Sequence, residues 1–223
     1  MALLEHLNEE GIDLRKNPVE FATYDIRCSG RINLNEKSET SVRGLYVAGD
    51  ECTFGISGAA VFGMIGGENA AALAKEIPAS DISENENTIE DQKRLIEQLR
   101  SRSNGPDWKD ANVALQQTMT DYAGLVRSEA ILQAGLRHLM RLREKVHHTL
   151  RSKDRWELTR CLEVINLYDL AELIFISALE RKESRGLHQR VDYPYTDPLL
   201  NGKNLIIKKV DGRHVTEWRD VPN

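Results

Sequence analysis

Apolar and polar positions in the second half of the chain follow the period of amphipathic helices. Apolar residues recur at steps of three and four from about 88 to 186, which is the spacing of one helix face. Asp107, Ser128 and Asp154 stand just before three of these segments and are typical N-cap residues. Thr88, with an acid three residues later, resembles a capping box for a further helix. Short connections between such helices favour an antiparallel bundle.

The apolar side of each helix predicts which residues the bundle buries. For the helix after Asp107, these residues are Val113, Leu115, Met119 and Tyr122. For the helix after Asp154, they are Leu158, Leu162, Ile165, Leu170, Leu173 and Ile176.

A different pattern occupies residues 44–76. Leu45–Ala48 is a short apolar run typical of a buried strand, and Gly49–Glu51 ends it in a turn that carries two carboxylates. A long segment rich in glycine and alanine follows. Its small residues recur at helical spacing and predict one flat helix face: Ala60, Gly63, Gly67 and Ala71. Several glycines inside a helix indicate that the helix backbone closely approaches another group, either a ligand or a sheet.

A strand that enters a helix through a glycine turn can hold an anion or a cofactor. The helix N-terminus offers free N–H groups and a partial positive charge. An acid at the end of the strand suits a sugar hydroxyl. The alternative from spacing alone is a glycine-rich packing helix with no ligand.

The end of the chain predicts a β-hairpin. Leu205–Ile207 and His214–Thr216 are short β-prone runs on either side of Asp211–Gly212, which is a strong signal for a two-residue turn.

Composition narrows the classes of function. The chain has 223 residues, of which 29% are charged and 40% hydrophobic, and its net charge is -5. These values indicate a soluble globular protein and argue against nucleic acid as a partner. No apolar run approaches the roughly 20 residues of a membrane span. Cys28, Cys52 and Cys161 are scattered and predict no metal site. With no signal-peptide pattern, a cytoplasmic location is expected.

Five segments carry a resemblance to a known family. Three of them resemble the C-terminal flavin-binding signature of the fumarate reductase, succinate dehydrogenase and L-aspartate oxidase flavoproteins: Gly44–Glu51, Gly58–Gly63 and Gly67–Ala71. Asp121–Ser128 and Glu183–Pro194 resemble segments of the helical domain of the same family.

The resemblance implies that FAD is the cofactor. Asp50 or Glu51 would hydrogen-bond its ribityl chain, and the N-terminus of the following helix would point at the flavin ring. The implied cofactor-binding residues are Gly49, Asp50, Glu51, Gly55, Ser57, Gly58, Ala59 and Ala60. The substrate residues carry over less well, because Thr53–Ser57 contains no arginine and Arg27–Ile32 contains no histidine. The catalytic residues therefore stay unidentified.

The expected fold class is α+β, with a partial FAD-binding β/α unit, an antiparallel helical bundle and a C-terminal hairpin. The expected boundaries are 1–78 for the FAD-binding and capping region, 79–87 for a linker, 88–186 for the bundle and 187–223 for the tail. The family's N-terminal Gly-x-Gly-x-x-Gly element is absent from the sequence.

The leading functional expectation is the C-terminal part, or a subunit, of an FAD-dependent oxidoreductase. It would need an N-terminal flavoprotein half, or another redox subunit, for activity. Two alternatives stay open. One is a non-catalytic assembly or interaction subunit that binds no flavin. The other is an L-aspartate oxidase-like enzyme, which rests on Ser184–His188.

Several charged residues admit two interpretations. Arg185, His188 and Arg190 would either bind a phosphate or a partner's acids, or cap helix carbonyls and pair with neighbouring acids. His147 and His148 would be metal ligands or simply exposed, and exposure is favoured because adjacent helix positions point apart. A basic set would form a solvated face or dock an acidic partner: Arg127, Arg137, Arg141, Arg143 and Lys145.

Overall fold

A computed structural model describes residues 11–13, 16, 30–49, 55–77 and 85–221. Its helices are α1 (Ile56–Glu76), α2 (Glu86–Ser101), α3 (Trp108–Ala123), α4 (Glu129–Thr149) and α5 (Arg155–Glu180). Its strands are β1 (Val126–Arg127), β2 (Gln189–Arg190), β3 (Lys203–Val210) and β4 (Arg213–Asp220). β1 pairs with β2 in parallel, and β3 pairs with β4 antiparallel. The expected mixture of helices and strands is confirmed.

Three helices begin where their caps predicted. The Asp107 carboxylate accepts hydrogen bonds from the amides of Lys109 and Asp110. The Asp110 carboxylate in turn accepts one from the Asp107 amide, which completes a capping box. The Ser128 hydroxyl accepts from the Ile131 amide and caps α4, and the Asp154 carboxylate accepts from the Glu157 amide and caps α5. The predicted start at Thr88 is wrong, because α2 begins at Glu86 and no side chain bonds its first turn. None of the described helices is both long and apolar enough to cross a membrane.

The core lies between α3, α4 and α5, and Leu99 of α2 closes one end. The fully enclosed side chains of the two longest core helices include Leu132, Leu139, Cys161, Tyr168 and Phe175. The Tyr168 hydroxyl donates to the Ala111 carbonyl at 3.1 Å, which ties α5 to α3. Burial raises the pKa of Tyr168 to about 12, so this hydroxyl keeps its proton.

Two predicted core residues are instead on the surface. Val113 is 61% exposed and Leu170 is 44% exposed. The side of α5 that faces the core runs through small and aromatic residues, at Cys161, Val164, Ile165, Tyr168, Ala171, Phe175 and Ala178. α5 is apolar around most of its circumference, so spacing alone selected a face that lies partly on the surface.

The C-terminal hairpin turns where the sequence predicted. Asp211 and Gly212 both have positive φ, at 48° and 76°, as a type I′ turn requires. The hairpin contacts α5 and the residue that follows it. The Arg181 guanidinium stacks 4.7 Å from the centre of the Trp218 ring, and Nδ1 of His214 lies 3.5 Å from the Glu172 carboxylate.

The segment before α1 is a short hairpin. Residues 38–40 face residues 45–47, with an isolated bridge between Glu39 and Tyr46. The predicted buried strand at Leu45–Ala48 is therefore wrong for the described residues, since Leu45 is 53% exposed. A strand is buried only when strands or helices cover both of its faces, and within the described ranges α1 is the one element that packs against the hairpin.

Candidate functional site

Gly49, Gly55 and the start of α1 form the first candidate site. Gly49 and Gly55 have φ of 86° and 92°, which residues with a side chain rarely adopt. The predicted acids Asp50 and Glu51 lie between them, outside the described residues, so their proposed contacts stay predictions. No side chain among the described residues caps α1, and no acid lies in its first turn. As far as the described residues go, the first amides of α1 have no side-chain partner, and such amides can bind an electron-rich group.

The predicted residues around this N-terminus have differing exposure. Ser57 and Ala60 are exposed, whereas Gly58 and Ala59 are half-buried. A Cβ at Gly55 would meet nothing within 4 Å. Among the described residues, none therefore crowds the backbone at Gly55.

The small-residue face of α1 differs from the prediction. Gly66 is the glycine that the fold requires, because a Cβ there would lie 3.3 Å from the Cβ of Ser38. Gly63 is less tightly packed than Gly66, because a Cβ at Gly63 would lie 4.0 Å from the Cβ of Ala48. Gly67 and Ala71 are exposed instead. Close approach to the 38–47 hairpin thus explains Gly63 and Gly66, and leaves Gly67 and Ala71 without a packing reason.

The other side of α1 carries uncovered apolar side chains. Ile56 is 91% exposed, Met64 62% and Val61 50%. Isolated exposed apolar residues are common, but three on one helix beside an open N-terminus indicate a surface built for contact.

A network of buried charges forms the second candidate site, at one end of the bundle. Arg190 is fully buried and makes a two-pronged ion pair with Asp192, at 2.8 and 2.7 Å. Its remaining nitrogen donates to the Ala178 carbonyl at 2.9 Å, near the C-terminus of α5. Asp192 accepts from the Glu129 amide at 2.9 Å, at the N-terminus of α4. The ion pair therefore places the Arg190 cation at the C-terminus of α5 and the Asp192 anion at the N-terminus of α4. The dipoles of both helices stabilise these charges.

Glu183 is the second fully buried charge of this network. Arg185 donates to both of its oxygens at 2.9 Å, Arg181 donates to one of them, and the Asp197 amide donates at 2.9 Å. Burial on its own would raise the pKa of Glu183. The hydrogen bonds from Arg185, the Asp197 amide and Arg181 outweigh burial and lower the pKa to about 2. Glu183 thus stays ionised and holds the chain after α5 in one conformation.

His188 completes the network. Its Nε2 lies 2.9 Å from the Arg181 carbonyl, and its Nδ1 lies 2.9 Å from a guanidinium nitrogen of Arg127. Arg127 also donates to the carbonyls of Ala123 and Gly124 at the end of α3. Of the two interpretations of Arg185, His188 and Arg190, capping and ion pairing is therefore confirmed. The acid partners Glu183 and Asp192 are near in sequence, but nothing in the sequence indicated their burial.

The two adjacent histidines have separate environments. His147 is half-buried, and burial lowers its pKa, while its carbonyl accepts a bond from Arg102 at 2.8 Å. His148 is exposed. Across the described ranges, no three metal-binding side chains come together.

The basic set also divides. Arg127 belongs to the buried network, and Arg143 pairs with Asp169 at 3.3 Å and with Glu172. Arg137 and Arg141 instead project from α4 into solvent. They line a smaller depression on α4 together with Leu136 and Met140. Met140 also lines an adjoining cleft of about 560 Å³, which lies between α4, α5 and the β3–β4 turn.

Comparison with known proteins identifies the class of this chain. Residues 112–221 match the family model for the C-terminal domain of the fumarate reductase flavoprotein. An uncharacterised FAD-dependent oxidoreductase of Methanocaldococcus jannaschii is 30% identical over 92% of this chain and 39% of its own length. The L-aspartate oxidase of Yersinia pestis is 30% identical over 92% of this chain and 38% of its own.

A solved structure agrees with this class. Quinol fumarate reductase FrdA of E. coli superposes with a TM-score of 0.67 and 26% identity, covering 83% of this chain and 35% of that one. The chain belongs to the fumarate reductase, succinate dehydrogenase and L-aspartate oxidase flavoprotein family and carries its C-terminal domain. It spans 34–39% of the length of the relatives it matches.

Proposed function

We propose that this chain acts as the C-terminal part of an FAD-dependent oxidoreductase of the fumarate reductase and succinate dehydrogenase class. The N-terminus of α1 carries the proposal, because no described side chain caps its amides and because Gly49 and Gly55 on either side of the two acids have positive φ. FAD bound there would supply the redox-active ring. The chain would supply amides toward the ring through Gly55–Ala60 and a carboxylate, Asp50 or Glu51, toward the ribityl chain.

The proposal includes a second protein part that completes the flavin site. The exposed side chains of Ile56, Val61 and Met64 on α1 support it, since they flank the proposed flavin position and need a cover. The relatives are more than twice as long as the matched segment, and several are named flavoprotein subunits. An N-terminal flavoprotein half, in the same polypeptide or another, is the cover we infer.

The substrate stays open within this proposal. The Ser184–His188 segment, on which an L-aspartate oxidase activity would rest, is occupied by contacts within the fold. It therefore supports the shared architecture of the family and does not favour one substrate over another.

Flavin retention tests the proposal. The chain is co-expressed with the N-terminal flavoprotein half from its source genome, and bound FAD is measured by its visible absorbance per mole of complex. We expect yellow protein from the native chain and a loss of most of the flavin in Asp50→Ala combined with Glu51→Ala. Asp91→Ala, on the exposed side of α2, is the matched control and should keep its flavin. A stable complex without flavin would contradict the proposal and favour a non-catalytic assembly subunit.

A further inference from the structure

The cleft between α4, α5 and the β3–β4 turn has an unusual balance of charges for a chain with a net charge of -5. Its floor includes Met140 and Leu173, and its walls carry both acids and bases. Asp169 and Glu172 are both engaged by Arg143, and Glu172 also faces His214 at 3.5 Å. The two acids of the cleft thus share one guanidinium, which offsets one of their two charges.

Four cations around the cleft have no such partner. Arg137 and Arg141 extend from α4, and Lys209 and Arg213 extend from the two sides of the hairpin turn. Among the residues that the structure describes, none of the four lies within ion-pair distance of a carboxylate. All four are exposed. The cleft and the adjoining depression on α4 together carry a net positive charge. Five basic side chains face two acids there: Arg137, Arg141, Arg143, Lys209 and Arg213 against Asp169 and Glu172.

We propose that this basic cleft docks an extended acidic segment of a partner protein. Electrostatic complementarity carries the argument, because a local positive surface on an acidic protein attracts and orients acidic partners. Met140, 37% exposed between the two arginines, offers an apolar contact for the methylene groups of the acidic side chains that face α4.

The spacing of the cations fits an extended chain. Arg137 and Arg141 are four residues apart on α4, which is about 6 Å along the helix axis. Alternate side chains of an extended segment are about 6.6 Å apart on one side. A segment with acids at every second residue would thus place consecutive carboxylates opposite consecutive arginines, and Lys209 and Arg213 would face it from the hairpin.

The proposal is independent of the flavin site, and its test has no flavin readout. The probe is a fluorescent pentapeptide with glutamate at positions one, three and five and leucine between them. Its anisotropy is measured on titration with the full 223-residue chain. We expect binding that weakens more than tenfold when salt rises from about 0.05 to about 0.5 M, since exposed pairs are screened. A peptide with glutamine in place of glutamate should bind at least tenfold more weakly.

A matched pair of variants locates the site. Arg137→Gln with Arg141→Gln should weaken binding about tenfold, as expected for the loss of two exposed ion pairs. Arg100→Gln with Arg155→Gln removes the same charge from exposed positions outside the cleft and should change the affinity less than twofold. Circular dichroism confirms that both variants remain folded.

Three results would overturn the proposal. The first is equal binding of the glutamate and glutamine peptides, and the second is an equal loss of affinity in the two double variants. The third is displacement of the peptide by a single-stranded oligonucleotide of the same charge at lower concentration, which would assign the cleft to nucleic acid.

Discussion

Arg127 donates a hydrogen bond to Nδ1 of His188 across 2.9 Å, and this contact fixes the protonation state of the imidazole. A guanidinium can only donate, so Nδ1 must accept and carries no proton. The carbonyl of Arg181 can only accept, so Nε2 must donate. His188 is therefore neutral in the folded protein. Burial lowers its pKa, and the nearby cations Arg127, Arg190 and Arg181 lower it further.

This arrangement predicts that the protein loses stability as the pH falls below 6.5, the ordinary histidine pKa. The unfolded chain takes up a proton on His188 in that range, whereas the folded chain does not until its lower pKa is reached. The unfolded state thus binds more protons, and the free energy of unfolding falls with the pH. The thermal midpoint measured on both sides of pH 6.5 reports the change.

His188→Gln is the comparison that isolates this residue, because His147 also has a pKa lowered by burial and acts in the same direction. The variant should be less stable at neutral pH but should lose less stability than the native chain on acidification. If its pH dependence equals that of the native chain, His188 does not titrate as the contacts require.

Asp192→Asn should destabilise the protein by about 3 kcal/mol, because it removes the two-pronged partner of the buried Arg190 guanidinium and leaves it the half-exposed Glu129 carboxylate at 3.9 Å. Urea unfolding followed by circular dichroism measures the loss. Glu217→Gln is the control, since its partner Lys208 is 45% exposed, and it should cost less than about 1 kcal/mol. Combining Asp192→Asn with Arg190→Met should recover part of the loss. A double variant less stable than Asp192→Asn alone would contradict the explanation by an unpaired charge.

Two glycines in helices should respond oppositely to alanine. At Gly135, in the middle of α4, a Cβ would lie 2.3 Å from the Cβ of Tyr122 and 2.6 Å from the Phe175 ring. Gly135→Ala should therefore destabilise the core by roughly 1–3 kcal/mol or more. Gly67 has nothing within 4 Å and normal helical geometry, so Gly67→Ala should raise stability by up to about 1 kcal/mol. This packing argument would be disproved if the denaturation midpoints of the two variants shifted in the same direction.

Cys161 should be unreactive in the folded state. Its thiol is fully buried and lies 3.4 Å from the Arg151 carbonyl. Burial raises its pKa to about 11, so the reactive thiolate is scarce at neutral pH. In a variant with Cys28→Ser and Cys52→Ser, a maleimide should label the chain only after denaturant is added. Labelling of the native protein at the rate of a small free thiol would show that the core opens.

Local chemistry predicted where the helices and the hairpin begin and turn. Asp107, Ser128 and Asp154 cap the helices that the sequence assigned to them, and Asp211–Gly212 forms the hairpin turn. These features depend on residues within four positions of one another, so they are readable before the chain folds.

Features that depend on distant residues were predicted less well. α5 is apolar on more than one side, and only its packing against α3 and α4 determined that Tyr168 is buried and Leu170 is exposed. Leu45–Ala48 has the composition of a buried strand, but the described part of the chain provides only a short antiparallel neighbour. Of the implied flavin site, the open α1 N-terminus is visible and the acids Asp50 and Glu51 stay predictions.

The sequence by itself determined the family, the order of the elements and the local caps, because these follow from motifs and from neighbouring residues. Only the tertiary structure decided what the charges do. Arg190 and Glu183 are buried beside opposite charges. Arg137 and Arg141 carry the same guanidinium group as Arg190, yet they face solvent. A charge becomes structural when folding removes it from water beside an opposite charge, and that depends on where distant segments meet.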